Sequence, residues 1–438
     1  MIFQVQSLFS RGVQDIWGLA RVVRRHLSPE TVGTRGAKFD RGCNDLLEPG
    51  RSDCETSSHE VGGQVSGFRR ELRPAAAGTG SGPEGSRLTV DIRRPWGNGA
   101  EDGSSGESRH VQSTENASPS AIIMSKVTII GATGNVGSYA AHAISLNPHV
   151  HEILLYGREG RDALLKGITQ DFIDSFAARG TDIVVNWTTN LKDAAGSDIV
   201  VITAGIPRTP GQDRLDLALG NARIIASLAQ TIGVVAPDAK VLVVTNPVDV
   251  MTCVALKYSG MKPNQVFGLG THLDSMRLKS LIASYFKVHV SEVHTRIIGE
   301  HGDSMVPLWS ATTIGGIKIS NLPAFSHLPV QEFISSVKCS GEVIIKNKGS
   351  TVYGPGEAIA SLVKTVLGDE NRILTVSTYI ETEVHGIGDI CIGVPARINR
   401  NGIFPVAIRI DESEVIAFRE SVEKLRAITR QVLSAIET

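Results

Sequence analysis

An α/β protein is predicted, with a doubly wound parallel sheet followed by a mixed α+β domain. Short β-branched runs alternate with helical stretches from residue 126 onward, the rhythm of strands joined by crossover helices. Those runs are apolar throughout instead of alternating with polar residues, as in strands covered on both faces. After about Phe267 the rhythm changes, and long helical stretches flank a β-rich segment.

The first strand is expected at 127–130, where Val127, Ile129 and Ile130 favour a pleated, buried surface. A helix is expected at 139–146, then strands at 152–156, 182–185, 199–204 and 241–245, with helical patterns between them such as 221–231. Together these make a domain at 124–268. A second domain at 269–438 is expected to hold helices at 275–285, 330–346, 357–365 and 412–434. Its strands are expected at 374–379, 390–396 and 406–410.

At 438 residues the chain has room for two or three domains. A formal net charge of −1 leaves no long-range electrostatic case for a nucleic-acid or membrane-surface partner. No continuous apolar run reaches the roughly 18 residues of a membrane span. The cysteines (Cys43, Cys54, Cys253, Cys339, Cys391) have neither metal-ligand spacing nor a disulfide framework. No metal is expected, and a cytoplasmic setting is.

Residues 1–123 differ from the rest. Lys38 is their only lysine among many arginines, and 75–87 and 98–120 are rich in Gly, Ser, Pro and Glu. Such stretches bury too little apolar surface to offset ordering entropy, so 28–123 is expected to be mostly disordered. Residues 1–27 combine apolar positions with Arg11, Arg21, Arg24 and Arg25 in the pattern of a basic amphipathic presequence. The long acidic-containing stretch behind them argues against targeting. Met124, just before the first strand, reads as the natural start of the globular part.

Gly131-Ala132-Thr133-Gly134-Asn135-Val136-Gly137 closes the first strand and opens a helix. Small residues let the backbone approach a pyrophosphate, and the helix N-terminus supplies free N–H groups. Gly131, Gly134, Asn135, Val136 and Gly137 are therefore candidate dinucleotide contacts, and the sheet is expected to be Rossmann-type. About twenty residues on, where a carboxylate ordinarily takes the ribose 2′-hydroxyl of NAD, the chain has Tyr156-Gly157-Arg158-Glu159. Gly157 removes repulsion of a 2′-phosphate and Arg158 can pair with one, so NADP(H) is favoured with NAD(H) also accepted.

His301 stands in Ile298-Gly299-Glu300-His301-Gly302-Asp303-Ser304, downstream of Thr271-His272-Leu273-Asp274-Ser275-Met276-Arg277. An imidazole can give and take a proton near neutral pH. Asp274 is a carboxylate that can orient it, and Arg277 a planar guanidinium that can grip a substrate carboxylate in two-pronged fashion. Their i, i+3 spacing puts both on one helical face. Together they suggest oxidation of a 2-hydroxy acid or reduction of a 2-oxo acid.

From about Ser125 to the C-terminus the sequence resembles the lactate/malate dehydrogenase family, and more narrowly the lactate-dehydrogenase-like branch of malate dehydrogenases. Five ordered motifs carry the resemblance: Gly131 to Gly137, Thr203-Ala204-Gly205-Ile206-Pro207-Arg208, Thr245-Asn246-Pro247-Val248-Asp249, Leu273 to Arg277 and Gly299 to Ser304. The resemblance implies that His301 exchanges the substrate hydroxyl proton, that Asp274 fixes its tautomer, and that Arg277 binds the C1 carboxylate. It implies that Arg214 polarises the carbonyl and that Arg208 faces the distal carboxylate of a four-carbon diacid, where lactate dehydrogenases typically have glutamine. Asn246, before a Pro247 that can take the cis form, is implied to contact substrate and nicotinamide. Asn221 is implied to lie beside the cofactor. Malate/oxaloacetate is the expected substrate pair, and a homodimer or homotetramer the expected assembly.

Two other readings compete. A lactate or other 2-hydroxy acid dehydrogenase differs chiefly at Arg208. A non-catalytic dinucleotide sensor shares the Gly-Ala-Thr-Gly start. A Tyr258…Lys262 pair has the spacing of short-chain dehydrogenases, but Gly260 inside it and Pro263 after it favour a helix end. Cys43 and Cys54 invite comparison with redox-switched chloroplast enzymes, from which the core departs at Gly131 to Gly137.

Overall fold

The structure, a computed structural model, describes residues 125–207 and 214–437. The expectations for residues 1–123, Cys43, Cys54, Met124 and Arg208 lie outside the described residues, as does the Arg214 side chain.

Nine strands of the described residues form one sheet. β1 (Lys126–Ile130), β2 (Glu152–Tyr156), β3 (Val184–Thr188), β4 (Ile199–Ile202), β5 (Lys240–Val243) and β6 (Val266–Gly268) run parallel in the order 3-2-1-4-5-6. β1 pairs with β2 from Lys126↔Glu152 to Ile130↔Tyr156 and with β4 from Val127↔Ile199 to Ile130↔Ile202. Strand order reverses there, and in open parallel sheets ligands bind at that point, beyond the carboxyl ends of the strands.

α1 (Asn135–Ile144) follows β1, and α2 (Asp162–Arg179) links β2 to β3. α2 ends on Gly180 in the left-handed conformation, so the strand expected at 182–185 begins two residues later, at Val184. α3 (Arg214–Val235) and α4 (Val248–Ser259) pack on the opposite face. α3 is long and apolar enough on average for a membrane span, unlike the expectation for any continuous run, because Asp216 and Arg223 interrupt it only twice. Its apolar face is used inside the protein: Ala222, Ile225 and Ile232 are fully buried against the core. Each buried isoleucine contributes about 1.5–3 kcal/mol relative to exposure. α4 stops at Gly260, again left-handed, so Tyr258 and Lys262 do not share a helix.

In the second half, α5 (His272–Phe286) is followed by the short strands β7 (Val293–His294), β8 (Ile297–Ile298), β9 (Val306–Pro307), β10 (Thr313–Ile314) and β11 (Ile317–Lys318). These contribute two small antiparallel sheets, β11-β10-β7 and β8-β9, while the longer strands that come later join the main sheet. Next come α6 (Val330–Lys348), α7 (Tyr353–Leu367), β12 (Arg372–Ile380), β13 (Ile390–Asn399), β14 (Gly402–Pro405) and α8 (Glu412–Glu437). β12 pairs antiparallel with β6, so β12, β13 and β14 extend the parallel sheet. The strand expected at 406–410 is displaced to Gly402–Pro405. Arg400 and Asn401 turn the chain, and pairing ends at Ala396↔Pro405. Ile408 and Ile410 still pack on the core, which is why their alternation reads as a strand.

Candidate active site

The switch point carries a cradle with no room for side chains. A Cβ on Gly131 (φ 90°) would lie 2.7 Å from Ala204 N, and one on Gly137 would overlap the Gly131 carbonyl. Thr203 Oγ1 closes the cradle by donating to the Ile130 carbonyl at 3.0 Å. α1 begins with Gly134, which offers no side-chain cap, and its first turn has no acidic residue. Its leading N–H groups are thus left to an anion, and the local charge favours one. Asn135 is exposed and donates to Ser350 Oγ at 3.1 Å, while Val136 is half-buried. The bare backbone and the uncapped helix fit a dinucleotide pyrophosphate. At the end of β2, Gly157 is buried, and a Cβ there would meet Leu165 and Thr133 at 3.1–3.3 Å. Any carboxylate at that position would have to push them aside. Arg158 is exposed.

His301 lies on the loop between β8 and β9, which pair Ile297↔Pro307 and Ile298↔Val306. Several hydrogen bonds fix this loop. Gly299 and Gly393 exchange backbone bonds of 2.9 and 3.1 Å with β13. Glu300 N–H donates to Ser421 Oγ of α8 at 2.9 Å, and Ser304 Oγ donates to Glu300 at 2.5 Å. Gly299 has φ 90°, and a Cβ there would sit 2.8 Å from Ser421 Oγ, so only glycine allows the approach. His301 N–H donates to Asp249 Oδ2 of α4 at 2.7 Å.

The imidazole is braced from α5. Nδ1 of His301 is 2.5 Å from Oδ2 of Asp274, and Arg277 Nη1 donates to Oδ1 of the same carboxylate at 3.1 Å. Asp274 is 3% exposed, and the His301 side chain 25%. Burial opposes the charge on Asp274, but His301 and Arg277 outweigh it and hold the carboxyl below its ordinary range. Burial likewise opposes the imidazolium. Asp274 overcomes this by charge and hydrogen bond, Asp249 adds to it and Arg277 subtracts, and His301 is raised to about 9. His272, two residues before Asp274, is the contrast. Burial and the charges of Arg372 and Arg296 lower it to about 4, which leaves it neutral. With Nδ1 on Asp274, Nε2 of His301 is the ring nitrogen left to serve a substrate.

Cradle and histidine are linked by short stretches of chain and by the hydrogen bonds of Asn221 and Asp249. Asn221 is 1% exposed; its Oδ1 accepts from Ile206 N–H at 2.7 Å, and its Nδ2 donates to the Asn246 carbonyl at 2.8 Å. Its amide ties two strand-end loops together instead of standing free for a ligand. Asn246 itself is exposed, precedes a cis bond to Pro247, and has no side-chain hydrogen bond among the described residues. Three residues on, Asp249 holds the His301 backbone. Sequence reasoning does not single out Asp249, Ser304, Gly393 or Ser421 for the site. Asp249 and Ser304 lie inside motifs quoted above, whereas Ser421 and Gly393 carry no local signal.

A bare-backbone cradle at a helix N-terminus and a histidine braced by a buried carboxylate are the parts that a nicotinamide-dependent oxidoreductase needs. Comparison with known proteins narrows this. Residues 125–268 match the NAD-binding domain of lactate/malate dehydrogenases, and residues 271–436 match their α/β C-terminal domain. An L-2-hydroxycarboxylate dehydrogenase (NAD(P)+) of Methanocaldococcus jannaschii is 48% identical over 310 residues, 70% of this chain and 99% of that protein. A malate dehydrogenase of Methanothermobacter thermautotrophicus is 47% identical over 319 residues, 71% of this chain and 98% of the relative. The crystal structure of Plasmodium falciparum malate dehydrogenase superposes with a TM-score of 0.67 at 29% identity, covering 71% of this chain and 99% of its own. The chain belongs to the lactate/malate dehydrogenase family.

Proposed function

We propose that the chain is a malate dehydrogenase, interconverting malate and oxaloacetate with His301 as general acid and base. The observation that carries this reading is the Arg277–Asp274–His301 chain of hydrogen bonds, with Nδ1 occupied and no partner on Nε2 among the described residues. The names of the malate dehydrogenase relatives support the substrate. Arg208 supports it too: against a pyruvate methyl its guanidinium would be left unpaired, at a cost of about 3–5 kcal/mol if desolvated.

In reduction, the protonated imidazole delivers its Nε2 proton to the ketone oxygen as C2 becomes tetrahedral. In oxidation, neutral Nε2 takes the hydroxyl proton. A nicotinamide dinucleotide, when bound, would supply the hydride for reduction and accept it in oxidation. Asp274 holds the ring in one tautomer and stabilises its cation. Arg277 uses its remaining N–H donors for the C1 carboxylate, Arg208 takes the distal carboxylate, and Arg214 stabilises charge on the reacting oxygen. Asn246, whose amide has no hydrogen bond among the described residues, orients that oxygen. Gly131, Gly134, Asn135, Val136 and Gly137 hold the pyrophosphate, with Asn221 bracing the neighbouring loop. The same reading makes the chain a homodimer or homotetramer, for which exposed Leu164 and Ile173 on α2 offer apolar surface.

NADP(H) is the favoured dinucleotide, with NAD(H) accepted. Gly157 and exposed Arg158 at the end of β2 support this, as does a relative named for both cofactors. Initial rates of the full chain with NADPH and NADH against oxaloacetate and pyruvate test the whole reading. Oxaloacetate with NADPH is expected to be fastest, and Arg158→Ala to cut the NADPH advantage by roughly tenfold, the value of one charge-assisted contact. Dinucleotide binding without turnover of either acid would overturn the enzyme reading. An NADH preference untouched by Arg158→Ala would overturn the cofactor assignment alone.

A further inference from the structure

We infer that Asp249 is a positioning residue for His301: it anchors the backbone of the catalytic loop and lends its negative charge to the protonated imidazole. This deepens the proposed reaction and rests on the acid/base role of His301.

The geometry is specific. Asp249 is 2% exposed in the first turn of α4, three residues after Asn246. Its Oδ2 accepts the His301 N–H at 2.7 Å, and the neighbouring Ser377 hydroxyl of β12 also favours the carboxylate, while Oδ1 is buried outside full hydrogen-bond geometry. Neutral groups already anchor the loop elsewhere, through Gly393 and Ser421. Accepting one N–H requires no charge, and a buried carboxylate costs more to desolvate than a neutral acceptor. A carboxylate here is explained if its charge acts on a neighbour.

The surrounding groups name that neighbour. On the β8–β9 loop stand His301 and Glu300; α5 adds Asp274 and Arg277 around the imidazole. β12 contributes the uncharged Ser377, and β13 Cys391, beside Cys253 of α4. Of the charges acting on Asp249, that of His301 favours its ionised form and that of Glu300 opposes it. Burial pushes Asp249 up to about 6, so it is charged above that pH. The position near the α4 N-terminus further suits a negative group. Asp274 therefore fixes the ring through Nδ1, and Asp249 fixes the same residue through its main chain and adds a second negative charge. The imidazolium is stabilised by two carboxylates from two different helices.

Asp249→Asn tests this, because the amide oxygen can still accept the His301 N–H while the charge is gone. In the full-chain enzyme, kcat/KM for oxaloacetate is expected to lose its alkaline limb about one pH unit earlier than in the parent. The sign follows from charge: losing a nearby anion lowers the His301 pKa, so the proton needed for reduction is lost at lower pH. The kcat is expected to fall roughly tenfold or more, with KM for oxaloacetate little altered. Ser421→Ala, which removes another anchor of the same loop but no charge, is expected to lower kcat without moving the pH profile. Asp249→Ser provides a second neutral replacement should the buried amide destabilise the fold. Titration of His301 by nitrogen-15 NMR in the cofactor-free protein reads the same shift without turnover. Identical His301 titration in the parent and the folded neutral variants would overturn the inference. A parent that titrates as expected yet fails to reduce oxaloacetate would instead overturn the proposed function.

Discussion

A His301→Asn enzyme is expected to reduce oxaloacetate roughly 10²–10⁴-fold more slowly than the parent, the usual worth of a positioned general acid. Asparagine keeps the main-chain bond to Asp249 but has no group that titrates near neutrality. The cradle at Gly131 to Gly137 is untouched, so NADPH or NADH should bind with parental affinity, measured by fluorescence titration. A steady-state comparison of kcat with this binding measurement separates loss of chemistry from loss of fold. The variant should also melt at lower temperature than the parent. Asp274 is then left buried with Arg277 as its remaining charged partner, short of the second charge that holds its carboxyl ionised. Turnover within a few-fold of the parent would mean that the proton moves through some other group.

The second large effect is expected at Arg208. Changing Arg208→Gln should shift the ratio of kcat/KM for oxaloacetate over pyruvate toward pyruvate by roughly 10³–10⁵-fold. The physical reason is asymmetric. A guanidinium facing a carboxylate is satisfied, whereas facing a methyl it is stripped of water and unpaired. Glutamine removes the penalty against pyruvate and the attraction for the diacid in one step. The measurement is competition-free initial rates with each acid at saturating dinucleotide. An unchanged ratio would place the selection of the distal group elsewhere in the pocket.

Much of this site is legible in the sequence, and the reason is local chemistry. The strand at Glu152–Tyr156 begins and ends where its apolar run does, because nothing but sheet pairing competes there. The glycines at 131 and 137 declare a close approach, which the packing against Ala204 and the Gly131 carbonyl bears out. Asp274 and Arg277 lie on one face of a helix, as their spacing requires, and Asp274 reaches His301 across 27 residues. What the sequence hides depends on distant partners. Ser421 meets Glu300 across 121 residues, and no pattern around Ser421 marks it. The pairing of β12 with β6, which carries strands of the second half into the first domain's sheet, sets Ser377 against Gly268 and Thr378 against Phe267. No local signal in either strand announces that register. The alternation at 406–410 reports burial of Ile408 and Ile410 but not a partner strand, so periodicity alone misplaces β14. Asn221 illustrates a different limit. The sequence offers it as a cofactor contact, and only the folded arrangement reveals that its amide is already used by the backbone.

The pH dependence of kcat/KM in both directions bears most directly on the central idea, that one imidazole braced by Asp274 carries the proton each way. This ratio reports ionisations of the free enzyme, in which His301 is held near 9. We expect oxaloacetate reduction to be level at neutral pH and to fall as pH rises through that ionisation. Malate oxidation should rise through the same one, because it needs the neutral ring. Two profiles that share no ionisation, or that move in the same sense across it, would show that His301 is not the group exchanging the proton.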